Sequence, residues 1–371
     1  MYNQFKFKLP AVVLLATLIG AAGCEQAKKS GSTATEPATA EVKAKPKFLN
    51  EPLIKEIYTA DPSAHVFNGK IYIYPSHDID AGIPNNDNGD QYAMADYHIL
   101  SMDSIGGKVT DNGVALSVKD VPWASKQMWA PDAAYKNGTY YLYFPVRDKQ
   151  GAFKIGVATS KSPVGPFKPE AAPIEGAYSI DPAVFTDDDG SSYMYFGGIW
   201  GGQLQKWATG KYDANGSKTD LKQDDKPALS CKVAKLSKDM KHLDGKAEDV
   251  IIVDKDGKQL LGKDHDRRFF EGSFMHKFKG KYYFTYSTGD THFLAYAIGN
   301  KPMGKFVYQG NFLKPVQGWT THHSIVEFKG KWYLFYHDTE ISGQNHLRNV
   351  KVTELDHKAD GSIGLIDPFV K

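Results

Sequence analysis

Five ionisable side chains recur at nearly the same place in this sequence, each six to nine residues ahead of a glycine that lies between two apolar runs. Asp61 precedes Gly69 by eight residues, Asp132 precedes Gly138 by six, Asp181 precedes Gly190 by nine, Glu271 precedes Gly280 by nine, and His322 precedes Gly330 by eight. A single Asp before Pro, as in Ala60-Asp61-Pro62 or Ser179-Ile180-Asp181-Pro182, is most often a turn or cap residue. Recurrence changes that weighting, because uncompensated carboxyl groups held close together are costly and persist mainly where function requires them. Four carboxyl groups and an imidazole, with no Ser/His/Asp or cysteine arrangement beside them, point to acid and base work by carboxyl groups of unequal pKa.

Such chemistry needs the five side chains to converge, and the segments that carry them say how. Each glycine sits in the turn of a β-hairpin whose second strand is rich in Tyr and Phe: HVFNGKIYIYPS, AAYKNGTYYLYFPV, AVFTDDDGSSYMYFGG, MHKFKGKYYFTYST and IVEFKGKWYLFYHD. Asn-Gly, Asp-Gly and Lys-Gly turns between alternating apolar runs are hairpin signals. A weaker repeat, Pro163-Val164-Gly165-Pro166-Phe167 and Pro302-Met303-Gly304-Lys305-Phe306, follows the strand-like runs KIGVAT and FLAYAI. The turn glycines are spaced by 69, 52, 90 and 50 residues. A four-stranded propeller blade takes about 40–50, so the longer gaps hold insertions. The largest, Trp200 to Arg268, reads by its Lys/Asp content as mostly surface loops. The expected fold is all-β, a five-bladed β-propeller whose inner strands bring the five side chains to one mouth of a central channel. A β-sandwich of regular hairpins is the plainer alternative.

Composition agrees with many short strands. The chain has 371 residues, with 21 Tyr, 20 Phe, 6 Trp and 35 Gly. Lys and Arg total 45 against 43 Asp and Glu, which argues against an electrostatic nucleic-acid binder. Two cysteines exclude a disulfide scaffold and a cysteine zinc cluster. Cys231 is expected to be a small buried core residue. Residues 1–23 carry Lys6 and Lys8 and then a short apolar run, and read as a signal peptide. Ala21-Ala22-Gly23-Cys24 resembles a bacterial lipoprotein box, which makes Cys24 the lipidated residue and implies export with membrane attachment only through a lipid anchor. Residues 24–47 read as a flexible linker and 48–371 as one catalytic propeller domain.

Over residues 55 to 368 the ordered set Ala-Asp-Pro, Trp-Ala-Pro-Asp, Ser-Ile-Asp-Pro, Glu-Gly and His-His-Ser-Ile resembles glycoside hydrolase family 43. The resemblance implies an inverting glycosidase acting on plant or algal polysaccharide. Asp61 would be the general base, Glu271 the general acid, and Asp181 the carboxylate that orients the acid and raises its pKa. An inverting pair stands ~6.5–9.5 Å apart and a retaining pair ~5–5.5 Å, so the wider separation is expected for Asp61 and Glu271. The family usually has Pro after Glu-Gly, where this chain has Ser273. The resemblance selects His322 over His323 for the channel, where a structural calcium or a water would sit beside it; no cofactor is required. It also makes Arg348 the arginine that holds a sugar hydroxyl. Asp132 is expected to contact substrate, and Trp129 and Trp200 are candidates for stacking on a sugar face. His77, Asp78, Tyr92 and His292 are further rim candidates. Asp187-Asp188-Asp189-Gly190 lacks the spaced ligands of an EF-hand and reads as a turn. An exo-acting β-xylosidase or α-L-arabinofuranosidase leads the functional expectations. Arabinanase or galactan-active members, a related five-bladed glycosidase family, and a non-catalytic glycan-binding lipoprotein compete with it. Oligomeric state is left open.

Overall fold

A computed structural model describes residues 47–370 apart from Lys222. The expected signal peptide, Cys24 and nearly all of the expected linker lie outside the described residues. The chain forms five antiparallel blades in a β-propeller arrangement. Blade 1 comprises Tyr58–Phe67, Lys70–Asp78, Asp96–Met102 and Thr110–Ser117. Blade 2 comprises Asp132–Lys136, Thr139–Asp148, Phe153–Ser160 and Lys168–Pro169, with Ala124–Lys126 paired to the second of these. Blade 3 is Ala183–Thr186, Ser192–Phe196, Lys232–Lys235 and Glu248–Asp249. Blade 4 is Glu271–Phe278, Lys281–Ser287, Leu294–Gly299 and Lys305–Leu313, extended by the parallel strand Ile251–Val253. Blade 5 has His323–Phe328, Lys331–Asp338 and Asn349–Leu355. The first strands of neighbouring blades lie side by side around the whole ring.

Four of the five expected hairpins have the same turn. The closing pairs Phe67↔Lys70, Lys136↔Thr139, Phe278↔Lys281 and Phe328↔Lys331 leave two-residue loops, Asn68-Gly69, Asn137-Gly138, Lys279-Gly280 and Lys329-Gly330. Both loop residues have positive φ in every case, the type I′ geometry that matches strand twist and favours glycine at its second place. The third hairpin differs. Thr186 pairs with Ser192 across a longer loop in which the Gly190 N–H donates to the Asp187 carbonyl at 2.9 Å. Lys277 of blade 4 binds Asp187 and Asp188 at 2.8 and 2.6 Å, so the acidic run is a turn tied to its neighbour.

Alternation of side chains along each strand gives every blade two apolar faces, and each face packs on the next blade. Tyr74, Tyr97, Leu142 and Phe144 fill the layer between blades 1 and 2. Tyr143, Val157, Met194 and Phe196 fill that between 2 and 3. Tyr195, Val233, Phe284 and Tyr286 lie between 3 and 4, Tyr296, Ile325 and Tyr336 between 4 and 5, and Ile71, Leu100, Phe335 and Val350 between 5 and 1. Cys231 is a buried free thiol in the third of these layers, as expected. The segment from Trp200 to Arg268 is mostly loop, as expected, and also holds three short strands. It supplies both outer strands of blade 3 and the added strand of blade 4, because Cys231, Val233, Val250 and Ile252 among its lysines have an apolar face to join. At the ends of the described chain, Lys47–Phe48 pairs antiparallel with Phe369–Val370.

Candidate active site

The carboxylates sit where their strands are irregular. The ladder of blade 1 shifts register between Ala60 and Ser63, and that of blade 4 between Glu271 and Phe274. Such bulges re-aim a side chain that regular pleating would send elsewhere. Asp61 and Asp181 also have φ of 47° and 55°, a left-handed conformation that is strained for a residue bearing a Cβ. These distortions bring Asp61, Asp181 and Glu271 to the wall of one cavity of about 230 Å³, together with His322, Trp129 and Trp200.

Asp61 is fully partnered. Its Oδ1 accepts from Arg348 Nη1 at 2.8 Å and its Oδ2 from Ser76 Oγ at 2.6 Å. Its backbone N–H donates to His337 Nδ1 at 3.0 Å. Burial pushes the Asp61 carboxyl upward, but the charge of Arg348, helped by the Ser76 hydrogen bond, outweighs it and holds the group at about 2. His337, lowered by burial and by Arg348 to about 3, is neutral and meets Thr320 Oγ1 through Nε2 at 3.0 Å. Arg348 is clamped in turn by Asp78, through Nε and Nη2 at 2.8 Å each. Its guanidinium lies 5.0 Å from the centre of the Tyr92 ring.

Glu271 is the opposite case. Burial, then the charge of Asp61, pushes its carboxyl up to about 8. Asp181 is raised too, by burial and then by Glu271, so the pair resists carrying two charges. The Gly272 N–H donates to Asp181 Oδ2 at 2.8 Å, which fixes Asp181 against the backbone beside Glu271. One cavity therefore holds a carboxylate and a carboxylic acid at neutral pH.

His322 faces the cavity with neither ring nitrogen hydrogen-bonded, and burial keeps it neutral, so its 3.8 Å approach to Asp181 is not an ion pair. His323 turns the other way, bonded to Thr285 Oγ1 at 2.7 Å. Calcium takes 6–8 oxygen ligands, and one imidazole near one carboxylate does not build that shell.

Trp129 and Trp200 both line the cavity. Trp129 is fixed by Nε1 donating to the Tyr92 carbonyl at 2.8 Å, and Trp200 by its contact with Trp319, ring centres 5.5 Å apart. One expectation needs correction. Asp132 does not line the cavity. Its carboxylate is occupied by Ser63, by His65 at 2.8 Å and by the Val184 N–H, so it ties the inner strands of blades 1, 2 and 3 together. Arg348 lines the cavity and gives four of its five guanidinium N–H groups to Asp61, Asp78 and Thr320, so it fixes both carboxylates with one Nη2 N–H beyond those bonds. Of the rim candidates, Tyr92 lines the cavity and Asp78 supports Arg348, while His77 and His292 are not in its wall. Sequence reasoning missed Ser76, His337 and Trp319. Only Trp319, three residues before His322, carried a positional hint.

The family model for glycosyl hydrolases family 43 matches residues 54–363. The chain belongs to glycoside hydrolase family 43. Among family members, a xylosidase/arabinosidase of Humicola insolens is 60% identical over 320 residues, 84% of this chain and 98% of that one. A β-xylosidase of Xylanibacter ruminicola is 51% identical over 309 residues, 82% of this chain and 96% of that one. A family 43 β-xylosidase/α-arabinofuranosidase from a compost metagenome, solved with xylotriose in a calcium-free form, is 62% identical with a TM-score of 0.86, covering 88% of this chain and all of that one (100%). This family 43 chain is a glycosidase.

Proposed function

We propose that this glycosidase is an exo-acting β-xylosidase or α-L-arabinofuranosidase that works with inversion. The observation that carries the proposal is the split between two carboxyl groups on one cavity wall, Asp61 held at about 2 and Glu271 raised to about 8. Asp61, ionised and aimed by Arg348 and Ser76, takes a proton from water as the water attacks the anomeric carbon. Glu271 gives its proton to the leaving oxygen, and Asp181 orients Glu271 and keeps that proton on it. Trp129 and Trp200 offer apolar faces to the sugar. The sugars named here rest on relatives called xylosidase/arabinosidase or β-xylosidase, and on the neighbour holding xylotriose.

Hydrolysis of aryl β-xyloside, α-arabinofuranoside and β-galactoside by the wild type, Asp61→Asn and Glu271→Gln tests the assignment. NMR of the first-formed anomer tests inversion. Wild-type turnover in both variants would remove the mechanism; inactivity of the wild type on these and on natural oligosaccharides would favour a glycan-binding role. Export with lipidation at Cys24 belongs to the same proposal. Labelled palmitate should enter the full chain and be absent from Cys24→Ser.

A further inference from the structure

We infer that His77, Asp96 and His98 form a binding site for a divalent transition-metal ion on blade 1, outside the catalytic cavity. One ligand atom from each, two imidazole nitrogens and a carboxylate oxygen, lies within 4.8 Å of the other two. The strands bring them together. Asp96 and His98 are two residues apart on Asp96–Met102 and so share a face, and His77 comes from the adjacent strand Lys70–Asp78. His77 Nδ1 stands 2.7 Å from Asp96 Oδ1, and the rings of His77 and His98 meet edge to face with centres 4.6 Å apart. Ligands on a tetrahedral zinc stand about 3.3 Å from one another, since bonds of ~2.0–2.1 Å diverge from one centre. Small side-chain rotations reach that spacing from the observed one.

Two further features separate this cluster from ordinary His–Asp hydrogen bonding on a sheet. His98 Nδ1 is held by both carboxylate oxygens of Asp111, at 3.0 and 2.9 Å, which leaves Nε2 as its free donor atom. A carboxylate behind the far nitrogen of an imidazole is the outer support that metal-bound histidines use to fix their tautomer and orientation. The three ligand side chains are also only 15–25% exposed, so an ion could enter while the shell is already largely desolvated. Two imidazoles with one carboxylate suit zinc or a neighbouring first-row ion and do not suit calcium or magnesium, which prefer oxygen. Solvent would complete the coordination. The position has a consequence for the fold: His77 lies between Ser76, which donates to Asp61, and Asp78, which clamps Arg348. An ion here would cross-link two strands of blade 1 directly behind the catalytic base.

Zinc alone, titrated calorimetrically into chelator-treated protein, should bind once per chain at this site and raise the Tm. Uptake should be lost in His77→Gln and His98→Gln, kept in His322→Gln, and weakened by about 10–100-fold in Asp111→Asn, the usual effect of removing such outer support. Cobalt(II) should give the visible absorption of a low-coordinate site in the wild type, and circular dichroism shows whether each variant is folded. Absence of the cobalt band with no zinc uptake at micromolar concentration, or binding that survives in the folded His77→Gln/His98→Gln double variant, would overturn the assignment.

Discussion

At the scale of single residues, the site depends on one arginine keeping one carboxyl ionised while a second stays protonated. Glu271→Gln should lower turnover of natural xylosides by about 10²–10⁴-fold, the usual contribution of general acid catalysis, and far less for aryl xylosides with leaving groups that need no proton. In the wild type, kcat/KM should fall on the alkaline side near pH 8 as Glu271 ionises, and that limb should vanish in the variant with activated substrates. The acid limb, set by Asp61, should lie below the usual carboxylate range. Stability should move the other way from activity. Glu271 has a folded pKa above its unfolded value of 4.5, so its carboxyl is neutral to stability below that pH and costs more as pH rises towards about 8. Glu271→Gln should therefore melt higher than the wild type by a margin that is absent near pH 4, grows between about pH 4.5 and 8 and then levels off, a few kcal/mol at most. Asp61 behaves oppositely: its contribution is present above pH 3.8 and is lost as pH falls through about 2. Replacing Arg348 with Met leaves Asp61 and Asp78 buried without a counter-charge. It should cost about 3–5 kcal/mol in urea unfolding near neutral pH and move the acid limb of activity upward.

At the scale of elements, the bulge at Glu271 is backed by a close contact. A Cβ on Gly289 would stand 2.0 Å from Cγ of Phe270, the residue before the acid, and Gly289 has φ of 69°. Gly289→Ala is expected to displace Phe270, lower the Tm by several degrees and reduce kcat much more than it changes KM; thermal melts and steady-state kinetics check both parts. The four two-residue hairpins were legible in the sequence because Asn-Gly and Lys-Gly between Tyr/Phe strands encode the turn locally. The outer strands between Trp200 and Arg268 were not, because Lys232–Lys235 is two apolar residues between lysines and Glu248–Asp249 is charged throughout, so neither shows an alternating pattern, and they become strands only when a neighbouring blade offers its apolar layer. The same reasoning explains Asp132. It stands only six residues before its turn glycine, against eight for Asp61 and nine for Glu271, and its strand runs regularly from Asp132↔Tyr143 with no bulge, so the side chain stays between blades instead of turning to the cavity. Sequence gives the position along a strand; a register shift decides the direction, and register belongs to the pair of strands. Ser76 and His337 were missed for a related reason: each meets Asp61 across a fold contact, and nothing local marks it.

At the scale of the whole molecule, the base and its support come from both ends of the catalytic ring, Asp61 and Asp78 from blade 1 and Arg348 and His337 from blade 5. Catalysis is therefore expected to be lost together with ring closure. Removing residues 366–370 deletes the partner of Lys47–Phe48 and the Ile366 carbonyl that accepts the Lys314 N–H at 3.0 Å. The truncated chain should show a lower Tm, and its loss of activity on heating should precede the loss of far-ultraviolet circular dichroism. The pairing of the two ends has another consequence. Because Lys47 lies opposite Val370, a short linker could join them, and the exposed Lys329-Gly330 turn could become the new pair of termini. In such a circular permutant Arg348 would be translated before Asp61 and Glu271, yet the same guanidinium would meet the same carboxylates. The order in which the blades are written along the gene would then be an accident of where the circle was opened.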